Sequence, residues 1–285
     1  MFLKPVYTLL ASNSHFACRA LTRLCTAGVA PSTIALPGTV PSVLPIRHRS
    51  AAGTDIISLA FKYRVPLLDL PLQQPDAWPA MLSIGTDSCL LSTCFPARIP
   101  GSLWKTTACF NLHPSLLPAY RGPTPLFWQF HRGEHHTGVT LHRVNAEFDG
   151  GDIVSLKTLD LAPGIALRTV EAKLASLGTE LFLTLLQTLR SAKSLPCRVQ
   201  NRTRIQYNPA PGPDDYQISC HWSVDRAVRF VRGLETSRLY FHYHNHEHSY
   251  RFQSIQTLAE VTDPSPTGQT VPVQLADGRV LLTGV

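Results

Sequence analysis

Through the first hundred residues, short apolar runs alternate with stretches of helical periodicity, and this alternation limits the possible folds more than any other feature. "VYTLLA" (6–11) reads as a strand. The stretch 15–28 follows it, with Phe16, Ala20, Leu21, Leu24 and Cys25 on one helical face and Gly28 as a stop. "STIALPG" (32–38) is a second strand, and the helix "TDIISLAFKYR" leads into a third, "VPLLDL". "SCLLSTCF" (88–95) and "TTACFNLH" (106–113) are a fourth and a fifth. Strands separated by helical crossovers pair in parallel and must be covered on both faces. The expectation is therefore a Rossmann-like α/β fold: an open, mostly parallel sheet between layers of helices. Ligands on such sheets sit beyond the carboxyl ends of the strands, and "NLH" (111–113) lies at one of those ends.

Farther along, "PLFWQFHRGEHHTG" (125–138) reads as a helix closed by a turn. "GVTLHRV" (138–144) and "IVSLKTLDL" (153–161) read as strands joined by the turn "NAEFDGGD". Leu167, Val170, Leu174, Leu177, Leu181, Leu185 and Leu189 recur at helical spacing within 166–192, an apolar stripe expected to pack in the core. A segment rich in Pro, Gly and Arg then marks a boundary. The expected division is a domain over 1–193, a linker over 194–209 and a small β-rich domain over 210–285, opened by the helix "SVDRAVRFVRGL".

Composition narrows the function classes. With 44% hydrophobic and 16% charged residues, the 285-residue chain is globular rather than disordered. No apolar run approaches the roughly 18 residues that span a bilayer, so no membrane association is expected. The N-terminus has the lysine and short apolar run of a targeting peptide, but Ser12, Asn13 and Ser14 interrupt it early, which favours a first buried strand. Seven cysteines without a C-x-x-C pair point to reduced thiols in a cytoplasmic protein, most of them core filler. The formal charge of +7 suits an anionic partner such as nucleic acid, a nucleotide or a polyglutamate tail.

Several chemistries lack their sequence marks. There is no G-x-G-x-x-G after the first strand, no G-x-x-x-x-G-K-[ST] and no G-x-S-x-G. His242, His244, His246 and His248 fall at period two on one strand face. Same-face neighbours stand about 7 Å apart, an awkward spacing for one divalent ion, so a polar surface strand is expected there and no metal. Asn111 and His113 end an apolar strand, and Asp149 opens "DGGD", where Gly150 and Gly151 allow close backbone approach. These three can share a site, or they can be a loop-bracing histidine and polar turn residues.

Residues 110–154 also carry, in order, N-x-H, S-L-L-P, Y-R-G, T-G-V-T and D-G-G-D. This run resembles the signature of the folate-dependent formyltransferases, nearest their methionyl-tRNA and sugar-nucleotide branches. Upstream, "ASNSHFACRALTRL" is a weaker match, with Ala11 or Ser12 where the family has glycine. "CFPARIP" (94–100) resembles the segment that walls the pterin. "RIQYNPAPGPDDYQISCHWSVDRAVRFVRG" resembles the linker and opening of an OB-like C-terminal domain in those branches.

The resemblance implies formyl transfer from 10-formyltetrahydrofolate to a primary amine. Asn111 and His113 would be donors to the tetrahedral oxyanion. Asp149 would hold His113 and help remove the amine's proton. Cys94, Phe95, Pro96, Ile99, Ser115, Leu116, Leu117, Pro118, Gly150 and Gly151 would surround the folate, and Pro114 and Pro118 would stiffen the loop. Arg121 and Gly122 would meet the acceptor, although Arg121 can equally pin its own loop. The acceptor implied first is initiator methionyl-tRNA, with basic residues at Arg47, His48 and Arg49 and in the 198–204 segment. An amino-sugar nucleotide or another small amine is the alternative, and a catalytically silent nucleic-acid-binding relative is a third.

Overall fold

The computed structural model describes residues 6–38, 55–82, 88–191, 194–234, 239–245, 249–257 and 270–284. The basic residues Arg47, His48 and Arg49, and two of the four run histidines, His246 and His248, lie outside the described residues.

The chain opens with strand β1 (Tyr7–Ala11), buried at every position, followed by helix α1 (His15–Thr26). The Ser14 hydroxyl starts that helix by accepting from the Ala17 N–H at 3.1 Å, meeting one of the donors a helix N-terminus leaves open. Next come β2 (Thr33–Pro37), α2 (Ile56–Tyr63), β3 (Leu67–Leu70), the short α3 (Trp78–Leu82), β4 (Cys89–Thr93), the short α4 (Gly101–Trp104) and β5 (Ala108–His113). Helix α5 (Pro125–Arg132) has proline in its first turn and the left-handed Gly133 as its stop. Strands β6 (His136–Arg143) and β7 (Ile153–Asp160) and the long helix α6 (Leu167–Arg190) follow.

One seven-stranded sheet runs in the order β3-β2-β1-β4-β5-β6-β7. Strands β3, β2, β1, β4 and β5 pair in parallel, whereas β6 is antiparallel to β5. The sheet is thus the mostly parallel α/β sheet expected from the sequence. The strand order reverses between β1 and β4, which puts the topological switch point, the place where such sheets bind ligands, at the carboxyl ends near Ala11, Thr93 and His113.

Under one face Leu10, Leu90 and Cys109 pack with Trp78, Ile99 and Leu103. Under the other, Tyr7 meets Phe182 of α6 edge-on at 4.9 Å. Gly178 brings the α6 backbone down onto Leu112 and Val139. In the α6 stripe Val170, Leu174, Leu181 and Leu185 are buried, while Leu189 near the end emerges to solvent. All seven cysteines are free. Burial raises Cys18 to about 11 and Cys89 and Cys109 to about 12, which keeps these thiols protonated as apolar packing groups. Thr93, at the end of β4, has a fully buried hydroxyl without a partner among the described residues.

Two compact units divide the chain. The first comprises Met1–Pro123, Gly138–Leu159 and Glu171–Tyr207, and the second Thr124–Thr137, Asp160–Val170 and Asn208–Val285. Most of the segment 194–209 therefore groups with the first unit, through backbone pairing of Arg198 with Ile153 and of Tyr207 with Arg121.

In the second unit, β8 (Gln217–Ser219), α7 (Val224–Leu234), β9 (Phe241–His244), β10 (Ser249–Phe252), β11 (Ser254–Thr257), β12 (Thr270–Leu275) and β13 (Gly278–Thr283) form two three-stranded sheets, β10-β9-β8 and β11-β13-β12. Helix α5 joins this unit because its aromatics belong to the same core. Phe127 meets Phe230 at 5.6 Å, and Phe230 meets Phe241 at 5.4 Å. His242 and His244 share one face of β9 with their rings parallel at 6.4 Å.

Candidate active site

Strand β5 delivers the first two polar groups. Its pleat sends Asn111 and His113 to one face, and antiparallel pairing sets His142 opposite Asn111 and Thr140 opposite His113. Thr140 latches the following loop. Its hydroxyl donates to the Ser115 carbonyl at 2.7 Å and accepts from the Leu117 N–H at 3.2 Å. The Ser115 hydroxyl closes the loop internally by donating to the Ala119 carbonyl at 2.8 Å.

Asp149 reaches this face from the turn between β6 and β7. Its φ of 51° is a left-handed conformation that costs a non-glycine residue about 1–3 kcal/mol. The turn lies close against β6, since a Cβ on Gly151 would stand 1.8 Å from the Arg143 carbonyl oxygen. Asp149 Oδ1 accepts from Asn111 Nδ2 at 3.2 Å and lies 3.3 Å from His113 Nδ1 and 3.6 Å from His142 Nε2. Its Oδ2 accepts from the Gly122 N–H at 2.9 Å. Asn111, His113, His142 and Asp149 thus form one cluster within the first unit.

Carbonyl partners fix the tautomers, because a carbonyl oxygen only accepts. His113 Nε2 lies 2.8 Å from the Tyr120 carbonyl and must carry its proton there. His142 Nδ1 lies 2.7 Å from the Arg143 carbonyl and is likewise the donor. His142 Nε2 is then free to accept from Asn111 Nδ2 at 3.1 Å. In the neutral His113 ring, Nδ1 presents a lone pair toward the Asp149 carboxylate. A proton arriving at Nδ1 is stabilised at once.

Burial is the largest influence on His113 and lowers its pKa, against the Asp149 charge and the Tyr120 carbonyl. Burial alone would raise the Asp149 carboxyl. His113 when it carries a second proton, His142 and the Gly122 N–H outweigh it and hold the group below the ordinary carboxylate range. The pair therefore rests as a neutral imidazole beside an ionised carboxylate. The two face each other across one proton site at 3.3 Å, where the pair can take up a proton together.

Arg121 is 5% exposed, and its guanidinium is directed inward. Nε and Nη2 donate to Gln200 Oε1 at 3.1 and 2.8 Å, and Nη1 donates to Glu147 at 3.2 Å. Of the two roles left open by the sequence, bracing is the one its contacts describe. The Gly122 N–H is likewise directed to Asp149 rather than outward.

Of the segment 94–100, Cys94 and Pro96 are exposed, Phe95 meets Trp78 edge-on at 5.7 Å, and Ile99 is core. Arg98 carries this loop to the Asp149 turn. It stacks on Phe148 at 4.5 Å and donates to the Ala146 carbonyl at 3.3 Å. Ser115 and Leu117 are buried under the loop, whereas Leu116 and Pro118 are half-buried. Gly150 packs against Glu147 and Gly151 is buried.

Sequence reasoning missed His142 and Gln200. The signal for His142 was available: Thr140 and His142 alternate along a strand that must pair with the one carrying Asn111 and His113. Gln200 gave none, because it stands in a segment with the composition of a linker.

The formyl transferase family matches residues 100–186, a span that contains Asn111, His113, Arg121, His142 and Asp149. The chain is 28% identical over 194 residues to the methionyl-tRNA formyltransferase of Thermotoga maritima, covering 67% of this chain and 61% of the relative. The match thus spans about three-fifths of that relative's length. Among solved structures, HypX from Aquifex aeolicus in complex with tetrahydrofolic acid aligns with a TM-score of 0.63 at 16% identity, over 96% of this chain and 43% of that one. An N-formyltransferase from Helicobacter canadensis in complex with folinic acid and dTDP-3-aminofucose aligns with a TM-score of 0.61 at 15% identity, over 99% of both chains. These two likenesses are of fold.

Proposed function

From a chain related to the folate-dependent formyltransferases, with a formyl transferase domain over residues 100–186, we infer an N-formyltransferase that uses 10-formyltetrahydrofolate. The observation that carries this reading is the convergence of Asn111, His113 and His142 on the Asp149 carboxylate at the end of β5. The acceptor amine attacks the formyl carbon, and a tetrahedral oxyanion forms. The bond to N10 then breaks and tetrahydrofolate leaves with a proton.

The attacking amine gives its proton to the Asp149 carboxylate, which passes it to His113 Nδ1 beside it, a contribution of about 10²–10⁴. The half-buried Asn111 amide turns one N–H from its present partners to the oxyanion, a donor worth about 10²–10³ in rate. No protein nucleophile is needed, because the amine attacks directly. The loop 94–100 and the turn 148–151, joined by Arg98, make the wall against which the pterin lies. We take the first unit, with most of the 194–209 segment, as the catalytic domain and 210–285 as an OB-like C-terminal domain.

Methionyl-tRNA is the acceptor we favour. The exposed Arg198, Arg202 and Arg204 and the formal charge of +7 suit a phosphate backbone, and the Thermotoga relative acts on that substrate by name. An amino-sugar nucleotide is the second reading. It is favoured by the sparse basic content of the 39–53 segment, where only Arg47, His48 and Arg49 occur.

The deciding experiment gives the purified full chain 10-formyltetrahydrofolate with charged initiator tRNA or a panel of amino-sugar nucleotides. Formylated methionyl-tRNA is the expected product. Tetrahydrofolate release at full rate without any acceptor makes the protein a hydrolase, and no release under any condition makes it a silent relative. His113→Ala and Asp149→Asn are each expected to lower turnover by at least about 10²-fold.

A further inference from the structure

Gln200 lies outside every helix and strand, yet it is 5% exposed and uses its whole side-chain amide. Its two N–H groups donate to the carbonyls of Asp149 and Gly151, both at 2.7 Å. Its oxygen accepts from Nε and Nη2, the two nitrogens of the Arg121 fork that do not bond Glu147. Backbone pairing on either side fixes its place. Arg198 exchanges two 2.8 Å hydrogen bonds with Ile153, and the Arg121 N–H donates to the Gln206 carbonyl at 2.8 Å.

Two catalytic segments therefore meet on one amide. The turn 149–151 is held on its far side by β6, where Gly151 lies against the Arg143 carbonyl. Gln200 holds the near side, through the carbonyl of Asp149 itself and the one two residues on. Those two bonds secure a residue whose φ of 51° is otherwise unfavourable. The same amide turns Arg121 inward, and Arg121 begins the loop whose Gly122 N–H binds Asp149. No other side chain does all of this. Glutamate offers no donor, asparagine is one methylene short, and an apolar residue leaves two carbonyls of the turn without their donor and Arg121 Nε and Nη2 without their acceptor.

We propose that Gln200 is the positioning residue of the active site, fixing the Asp149 carboxylate against His113 by clamping the 149–151 turn and the Arg121 loop together. The importance of this geometry for turnover rests on the formyl-transfer reading; the positioning itself does not. A displacement of about 1 Å in a catalytic group costs on the order of 10²-fold in rate.

The test titrates the His113 ring by ¹⁵N NMR in the full-length wild-type, Gln200→Met, Gln200→Glu and Asp149→Asn proteins, with thermal midpoints recorded beside it. Losing the carboxylate from Nδ1 makes the ring harder to protonate. The Gln200→Met curve is therefore expected to move to lower pH, at least halfway to that of Asp149→Asn. Gln200→Glu, which keeps an acceptor for Arg121 but no donor for the turn, is expected to follow it near neutral pH.

A wild-type curve in both variants, with only the thermal midpoint lowered, overturns the proposal and leaves Gln200 a structural residue. If neither variant folds, exchange of the Gln200 side-chain amide protons in the wild type decides. Slow exchange supports the clamp, and exchange at the rate of an exposed amide overturns it. A wild-type protein that transfers no formyl group while the His113 curve still moves in Gln200→Met refutes the function and keeps the positioning. Where turnover is measurable, Gln200→Met is expected to lose about 10–10²-fold.

Discussion

His113 and Asp149 hold opposite protonation habits for related reasons. Both are buried, but the ring is kept neutral by that burial, while the carboxyl is kept ionised by the donors around it. A base whose pKa lies below that of a free histidine stays available on the acid side of neutrality, so kcat/KM is expected to hold as pH falls through 6.5 and to decline only below it. Asp149→Asn removes the charge that raises the ring's proton affinity. The acid limb of its residual activity is then expected at still lower pH, and a pH–rate profile of the two proteins checks the direction. Asn111, His113 and Asp149 were legible in the sequence because polar residues interrupt an apolar strand end and a glycine turn. His142 was hidden by its own regularity, as one polar member of an alternating strand. Gln200 acts through tertiary contacts that no local pattern records.

Among the elements, β4 shows what a strand end at the switch point of the sheet costs. Thr93 is fully buried beside the left-handed Cys94, and its hydroxyl has no partner among the described residues. An unsatisfied buried hydroxyl costs about 1–3 kcal/mol, and valine has its shape without the need for a partner. Thr93→Val is expected to raise stability by about 1 kcal/mol, read as a higher urea midpoint at an unchanged m value. The five strands of the first hundred-odd residues were legible from apolar runs, with small differences at their ends. The fourth stops at Thr93 rather than running to residue 95, because Cys94 turns the backbone out of the sheet with a φ of 51°. Helices α3 and α4 were not read at all. With five and four residues they are too short to show a period.

Across the whole chain, charge and pH act on the two units differently. In the second unit His131 sits among Phe127, Trp128, Trp222 and Phe230, and burial first, then Arg226, lowers its pKa to about 4. The unfolded chain therefore binds this proton first as pH falls, so the stability His131 gives is present above about pH 6.5 and is lost between there and about 4. Urea unfolding followed by tryptophan emission is expected to weaken by roughly 2–3 kcal/mol across that window, and His131→Phe is expected to remove most of the dependence. The two-part organisation was legible from the Pro- and Gly-rich composition after α6. What composition could not reveal is that much of that stretch is wired into the first unit, through Arg198, Gln200 and Tyr207. Dissecting the protein at the compositional boundary would therefore cut into the first unit rather than beside it. A fragment ending at residue 193 strands the Arg121 guanidinium without its buried acceptor, whereas one ending at 207 retains it. The shorter piece is expected to melt several degrees lower, about 1–3 kcal/mol less stable, so excision by composition would discard the strap that ties the 149–151 turn to the Arg121 loop.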